Sequence, residues 1–319
     1  MTHDATQDRF LGAVLGLAIG DAFGMPLAGR SRTTIADWYG TVTRYLPRAF
    51  PDGSEVGAGE ITDETEIALC IVESFTGAQG DLDAENIGIR MSYLARSDSR
   101  KWMSEQTLRA LDGLSEVHAF QLPLVDDEVV SAEVAVRGIP IGLIHSIGPV
   151  DRPSLTADAS LVTRISHGSP LALSAVEAVA VAMSVAARRL GTLAELQRAI
   201  VEALGHGGVR SAIEAVIDDG TLDPSDNAAA VIGSALAIVG SAPSFEVCIE
   251  SAAELGGAAD SRAAIAGALY GGYHGAGAIP QRFIDDLEAR IYISLAVPWF
   301  YRTVARRSGR LIDLRQRGT

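Results

Sequence analysis

Cysteine is nearly absent: Cys70 and Cys248 are the two in 319 residues, each inside an apolar helical pattern and without metal-type spacing. Such usage excludes a disulfide framework and predicts buried thiols in a reducing compartment. Positive charge is also short, with 26 Lys and Arg against 40 Asp and Glu and a formal net charge of -14. That balance disfavours sequence-independent binding to nucleic acid or anionic lipid, although one local anion pocket stays possible. β-branched runs are few while alanine and glycine are abundant, which favours closely packed helices. No apolar leader follows the polar start, and the most apolar later runs are interrupted by Glu177 or too short to cross a bilayer. The expectation is a cytoplasmic protein with neither a membrane nor a nucleic-acid partner.

What is present is a globular composition, 48% apolar and 21% charged. The densest chemistry lies in Glu60-Ile-Thr-Asp-Glu-Thr-Glu66, directly ahead of a run with Ala68, Leu69, Ile71, Val72 and Phe75 at the spacing of one buried helix face. Carboxylates and a hydroxyl at the mouth of an anchored helix suit a hard divalent cation. They equally suit helix capping: Asp63 with Glu66 three residues on is a capping-box pattern, and first-turn acids complement the helix dipole. On these residues alone both readings stand.

Phe10, Ala13, Val14, Leu17 and Ala18 mark the buried stripe of a first helix, and Asp21 falls on the same stripe. A carboxylate on a core-facing line needs a partner or a task. Gly12, Gly16, Gly20 and Gly24 thin that face so that another backbone can approach. Residues 30–60 read as a long loop of the lid or binding kind. Leu124 to Val136 is ambiguous between strand and helix, and Arg137 to Leu143 reads as a short apolar turn. Helices are expected over Leu155 to Ile165, from Pro170 through Val185, over Leu193 to Leu204, at Ile213 to Ile217, over Ala228 to Val239 and over Phe245 to Leu255. The last of these stops at Gly256-Gly257. A small-residue helix follows through Ala263, Gly267 and Gly271, where Asp260 has the place of a cap. A final helix opens at Pro280, and residues 302–319 form an arginine-rich tail. With no repeat or linker, one domain over 1–319 is the simplest account.

Four motifs stand in a recognisable order: Gly16-Leu-Ala-Ile-Gly-Asp-Ala-Phe-Gly24, Ile61-Thr-Asp-Glu-Thr-Glu66, Arg164-Ile-Ser-His-Gly168 and Leu255-Gly-Gly-Ala-Ala-Asp-Ser261. With Gly271-Gly-Tyr-His-Gly275 and Ala278-Ile-Pro280, they resemble the ADP-ribosylglycohydrolase family from Phe10 to about Arg290. The resemblance implies an all-α bundle with a central cleft and a Mg²⁺ or Mn²⁺ site. It implies hydrolysis of a ribosyl bond, on a small ribosyl ligand or an ADP-ribosylated protein. Thr62, Asp63, Glu64, Asp260 and Ser261 match the family's metal ligands, and Asp63, Glu64 and Asp260 would carry the catalysis. Asp21, Glu133, His167, Gly256, Gly257 and Arg262 are the positions matched or adjacent to substrate contacts.

The departures cluster. Ala258 stands where the family has its second-metal carboxylate, and Ala28 where a glutamate follows the first glycine motif. Glu64 replaces an aspartate. The implied site therefore holds one ion rather than two. Ser131 to Arg137 matches a glycine-rich loop that approaches the diphosphate, and there Glu133 adds bulk and negative charge. Arg262 either supplies charge to the vacated metal position or points outward to a surface acid. Three functions remain open: a metal-dependent hydrolase of an ADP-ribosyl bond, an enzyme on another nucleoside-like molecule, and a ligand-binding module without activity.

Overall fold

The computed structural model describes residues 4–114, 131–149, 151–203, 208–219, 222 and 224–309. Among them the chain is built of α-helices, with one two-stranded hairpin pairing Arg48–Ala49 antiparallel to Glu55–Val56. The organising contact joins α1 (Ala5–Gly24) to α13 (Ala259–His274), which run side by side in opposite directions. Its cause is a row of residues without side-chain bulk. A Cβ at Gly12, Gly16, Gly20 or Gly24 would stand 2.3, 2.0, 2.0 or 2.4 Å from the carbonyl oxygens of Gly271, Gly267, Ala263 and Ala259. The two backbones touch directly, a distance that only a missing side chain permits.

Around this pair the apolar stripes close into one core. α8 (Pro170–Arg188) packs on α13, covered in turn by α6 (Gly138–Ile144), α7 (Arg152–Thr163) and α9 (Leu193–Ala203). α11 (Ala228–Ser241) and α12 (Phe245–Glu254) lie against α13 on another side, and α10 (Gly208–Asp219) lies on α11. α15 (Arg290–Arg307) seats Phe300 between Phe10 and Phe75, at ring separations of 5.7 Å from each. It thereby joins α1 to α3 (Asp63–Gly77). α4 (Ala84–Leu94) packs on α3, with α5 (Glu105–Gly113) beyond it.

Several segments differ from expectation. The 30–60 loop contains α2 (Arg32–Tyr39), capped by Ser31, whose hydroxyl accepts from the Thr34 amide at 3.1 Å. Arg137 to Leu143 is not a turn: it enters α6, because Gly138 and Gly142 sit against the backbone of α8 where a Cβ would be 2.4 Å from the oxygens of Val176 and Ala180. Residues 132–137 are a 3-10 turn, while 115–130 lie outside the described residues. The last helix is two: α14 (Gln281–Asp285), then α15, which takes in Arg302, Arg306 and Arg307 from the expected tail. α1 and α8 are long and apolar enough to cross a membrane, contrary to the sequence reading, and both bury most of that surface inside the fold. Cys70 and Cys248 are buried free thiols, and burial raises both, Cys70 to about 12.

Candidate functional site

The α1–α13 seam ends at Gly24 and Ala259, which puts the start of α13 beside the last turn of α1. The start of α3 is drawn to the same place by Asp21. Asp21 is 0% exposed, and its carboxylate accepts the backbone amides of Thr62 at 2.8 Å and Thr65 at 3.3 Å. It also accepts both threonine hydroxyls at 2.5 Å. Thr62 itself is the N-cap of α3 and makes no side-chain cap bond. The cap of this helix is therefore supplied from α1, across 41 residues of sequence. The capping box read at Asp63 and Glu66 does not form, since Glu66 instead accepts from Ser99 at 2.7 Å. Asp21, expected at a substrate contact, has its oxygens taken up by the first turn of α3.

Freed from capping, Asp63 and Glu64 point into the junction. Ser261 Oγ donates to Glu64 Oε1 at 2.9 Å, bridging α13 to α3 across 197 residues. Thr62 Oγ1 lies 3.0 Å from Glu64 Oε2 but closer to Asp21. With one proton to give it serves Asp21, and a proton on Glu64 completes the other contact. Asp260 accepts the Ser261 amide at 2.8 Å. Asp63 and Glu64 are 3% and 6% exposed, while Asp260 is half-buried. Burial raises the pKa of all three. Asp63 is raised further by Glu64 and Glu133, Glu64 by Asp260 and Asp21, and Asp260 reaches about 6.

This donor set fits a hard cation by its chemistry: buried carboxylates that raise one another, with two hydroxyls among them. Among the described residues, however, no three acids or imidazoles converge on one point. The donors lie side by side, and Glu64 is already bonded to Ser261. An ion held there would replace those contacts and the protons they hold.

Opposite Asp63 stands a second group. Arg137, at the end of the 3-10 turn before α6, is 2% exposed and donates Nη1 to the Val162 carbonyl at 3.1 Å. Its Nε and Nη2 have no hydrogen-bond partner among the described residues. Burial lowers its pKa to about 10, against the pull of Glu133 and Asp63. His167 is 1% exposed; burial and then Arg137 push it down to about 3, so the ring is neutral. Its Nδ1 lies 2.8 Å from Ser166 Oγ, and Nε2 is unpaired among the described residues. Glu133, half-buried, is held by the hydroxyls of Ser104 at 2.5 Å and Thr107 at 2.8 Å.

The remaining positions do other work. Arg262 does not point outward. It is fully buried and donates to the carbonyls of Gly256 at 2.6 Å and Ser225 at 3.3 Å. Gly256 and Gly257 both take positive φ, and their close approach is to the chain itself: Gly257 N–H donates to the Arg30 carbonyl at 2.9 Å. Arg48 escaped the sequence reading, hidden in a stretch without periodicity. It donates to the carbonyl of Ala28 at 2.6 Å, and its pKa is lowered by burial and Arg30 and raised in part by Asp260. Arg48 is thus fixed at the backbone of Ala28, the position that offers no carboxylate. Arg137 was also missed, although a lone arginine between apolar residues was the available signal.

Comparison with known proteins meets this geometry. The ADP-ribosylglycohydrolase family profile matches residues 2–316. An uncharacterized protein of Archaeoglobus fulgidus is 30% identical over 309 residues, covering 90% of this chain and 94% of its own length. The ADP-ribosyl-[dinitrogen reductase] glycohydrolase of Rhodospirillum rubrum is 25% identical, covering 91% of this chain and 94% of its own. A solved structure titled ADP-ribosylglycohydrolase-related protein complex superposes with a TM-score of 0.78 at 28% identity, over 94% of this chain and 99% of that one. With its helical architecture and a match along almost its whole length, the chain belongs to the ADP-ribosylglycohydrolase family.

Proposed function

We propose that this protein is a metal-dependent hydrolase of an N- or O-ribosyl bond in ADP-ribose or a related ribosylated compound. The observation that carries the reading is the meeting of the first turns of α3 and α13, where Asp63, Glu64 and Asp260 share one buried junction and all hold protons too tightly. Thr62, Asp63, Glu64, Asp260 and Ser261 would hold the ion, Mg²⁺ or Mn²⁺. When bound, it supplies Lewis-acid orientation of ribose hydroxyls and of water. One ion suffices, because Ala28 and Ala258 offer no further carboxylates.

The chain's own groups then divide the work. Asp260, the most accessible acid of the junction, accepts the proton of the attacking water. Asp63 and Glu64 set negative charge beside a ribose carbon that becomes oxocarbenium-like as the bond breaks. The spare N–H groups of Arg137 bind acceptor oxygens of the ligand. His167 is neutral; in the tautomer whose Nδ1 accepts from Ser166, Nε2 donates as well.

Glu133 favours a second reading, a substrate without a diphosphate. It faces Asp63 and Arg137 and would repel phosphate oxygens on that side. Calorimetric titration of ADP-ribose, with Mg²⁺ and with excess chelator, separates the two. Metal-dependent binding, followed by release of ADP-ribose from modified arginine or serine peptides, supports the first reading. Binding of nucleosides but not ADP-ribose supports the second. For either hydrolase, Asp63→Asn and Asp260→Asn should each lower kcat by about 100-fold or more with unchanged circular dichroism. Full activity in chelator sinks the metal reading.

A further inference from the structure

A cavity of about 540 Å³ opens on the other wall of the first turn of α3, away from Glu64 and Asp260. Its floor is apolar, formed by Leu69 and Cys70, and Tyr93, Trp102 and Tyr292 stand around it. Five carboxylates line it, Glu60, Glu66, Glu73, Asp98 and Glu288, against two cations, Arg90 and Lys101. Both cations are already engaged. Arg90 pairs with Glu73, and its Nε donates to Asn86 at 2.9 Å. Lys101 donates to the Glu55 carbonyl at 2.9 Å and lies 4.4 Å over the Trp102 ring. Ser99 fixes one oxygen of Glu66 at 2.7 Å, while the other is buried and has no hydrogen-bond partner among the described residues.

We propose that this cavity is a second binding site, for a flat organic cation of the guanidinium or amidinium class carried on an apolar stem. A planar cation offers paired N–H groups to a carboxylate and a face to the tyrosines. Cation–ring attraction rises with the desolvation that such a cavity provides. The apolar floor takes the stem, and the volume falls within the range of small-molecule sites. A phosphate-bearing ligand is disfavoured there by the excess of carboxylates. The site is independent of the hydrolase reading and stands or falls by itself.

The test is calorimetric titration of the full chain with benzamidine and with its neutral isostere, benzamide. Benzamidine should bind at least tenfold more tightly. Glu66→Gln should weaken it about tenfold, and Tyr93→Ala, on a residue 67% exposed and so safe for folding, several-fold. Asp63→Asn should leave benzamidine affinity unchanged. Equal binding of the two probes, or no binding of benzamidine, overturns the proposal. So does an affinity lost in Asp63→Asn but kept in Glu66→Gln, which would place the cation among the acids of the α3–α13 junction.

Discussion

Asp21 shows how one carboxylate can decide the geometry of a site without touching a substrate. It gathers two amides and two hydroxyls of the α3 entrance, and the acids that follow are aimed as a result. Burial still raises its pKa despite those four bonds, so the group sits near the limit of what hydrogen bonding offsets. Replacing Asp21 by asparagine sets an N–H₂ group against N–H and O–H donors. Urea unfolding should register a loss of about 2 kcal/mol, and kcat should fall with it as the first turn of α3 relaxes. An unchanged midpoint would mean that the α3 entrance does not depend on this carboxylate. Asp21 illustrates the limit of sequence reading at this scale. Its place on a buried stripe was visible, but its partner, 41 residues away, was not. Thr62 to Glu64 stood out by the density of acids and hydroxyls, which suited a cap as well as an ion, whereas Asp260 and Ser261 were singled out as ligands only through the family resemblance. Arg48 was not, since it looks ordinary until folding sets it on backbone carbonyls, and Arg137 showed only as a lone arginine between apolar residues.

Among the elements, the α1–α13 pair is the most sensitive. An added methyl at Gly16 would meet the Gly267 carbonyl oxygen at 2.0 Å, and backbone cannot step aside as a side chain can. Gly16→Ala should cost about 3 kcal/mol, the upper part of the usual range for overpacking. It should also weaken ligand binding more than a comparable loss in α8, because the same seam sets Asp260 beside Glu64. Thermal denaturation with a parallel ligand titration checks both. A neutral Gly16→Ala would contradict direct backbone contact. Helices with a regular apolar stripe, α1, α3, α8 and α11, were readable from their spacing. α6 was not: Gly138, Pro140 and Gly142 are breakers by local rule, and only the backbone of α8 turns two of them into contact points. α2 escaped for the opposite reason. It buries Ile35 alone and so has almost no stripe to read.

At the scale of the whole molecule, acid dominates twice, in the net charge of -14 and in the buried junction. Asp21, Asp63, Glu64, Asp260 and Glu66 all have raised pKa values, Asp260 about 6 and Glu66 about 7. The folded chain therefore keeps protons that the unfolded chain has released. Stability from these groups is full below the ordinary carboxylate range and is lost as pH rises through the folded values. In chelator, the melting temperature should fall between pH 5 and pH 8. Mg²⁺ or Mn²⁺ should restore several degrees at the upper end, where a cation replaces the lost protons. A melting temperature that climbs with pH in chelator would contradict this arrangement.

The backbone seam has a consequence for the order in which the protein is made. α1 leaves the ribosome long before α13, the surface it is shaped for, which begins only at Ala259. Until α13 emerges the glycine row has no match, and a long apolar helix waits among partial neighbours. Chaperones that shield apolar helices should bind nascent chains stalled before residue 259 and leave those that extend past His274. The acids of the junction assemble only then. A polypeptide interrupted early is not a weaker version of the protein but one in which the two halves of its chemistry have never met.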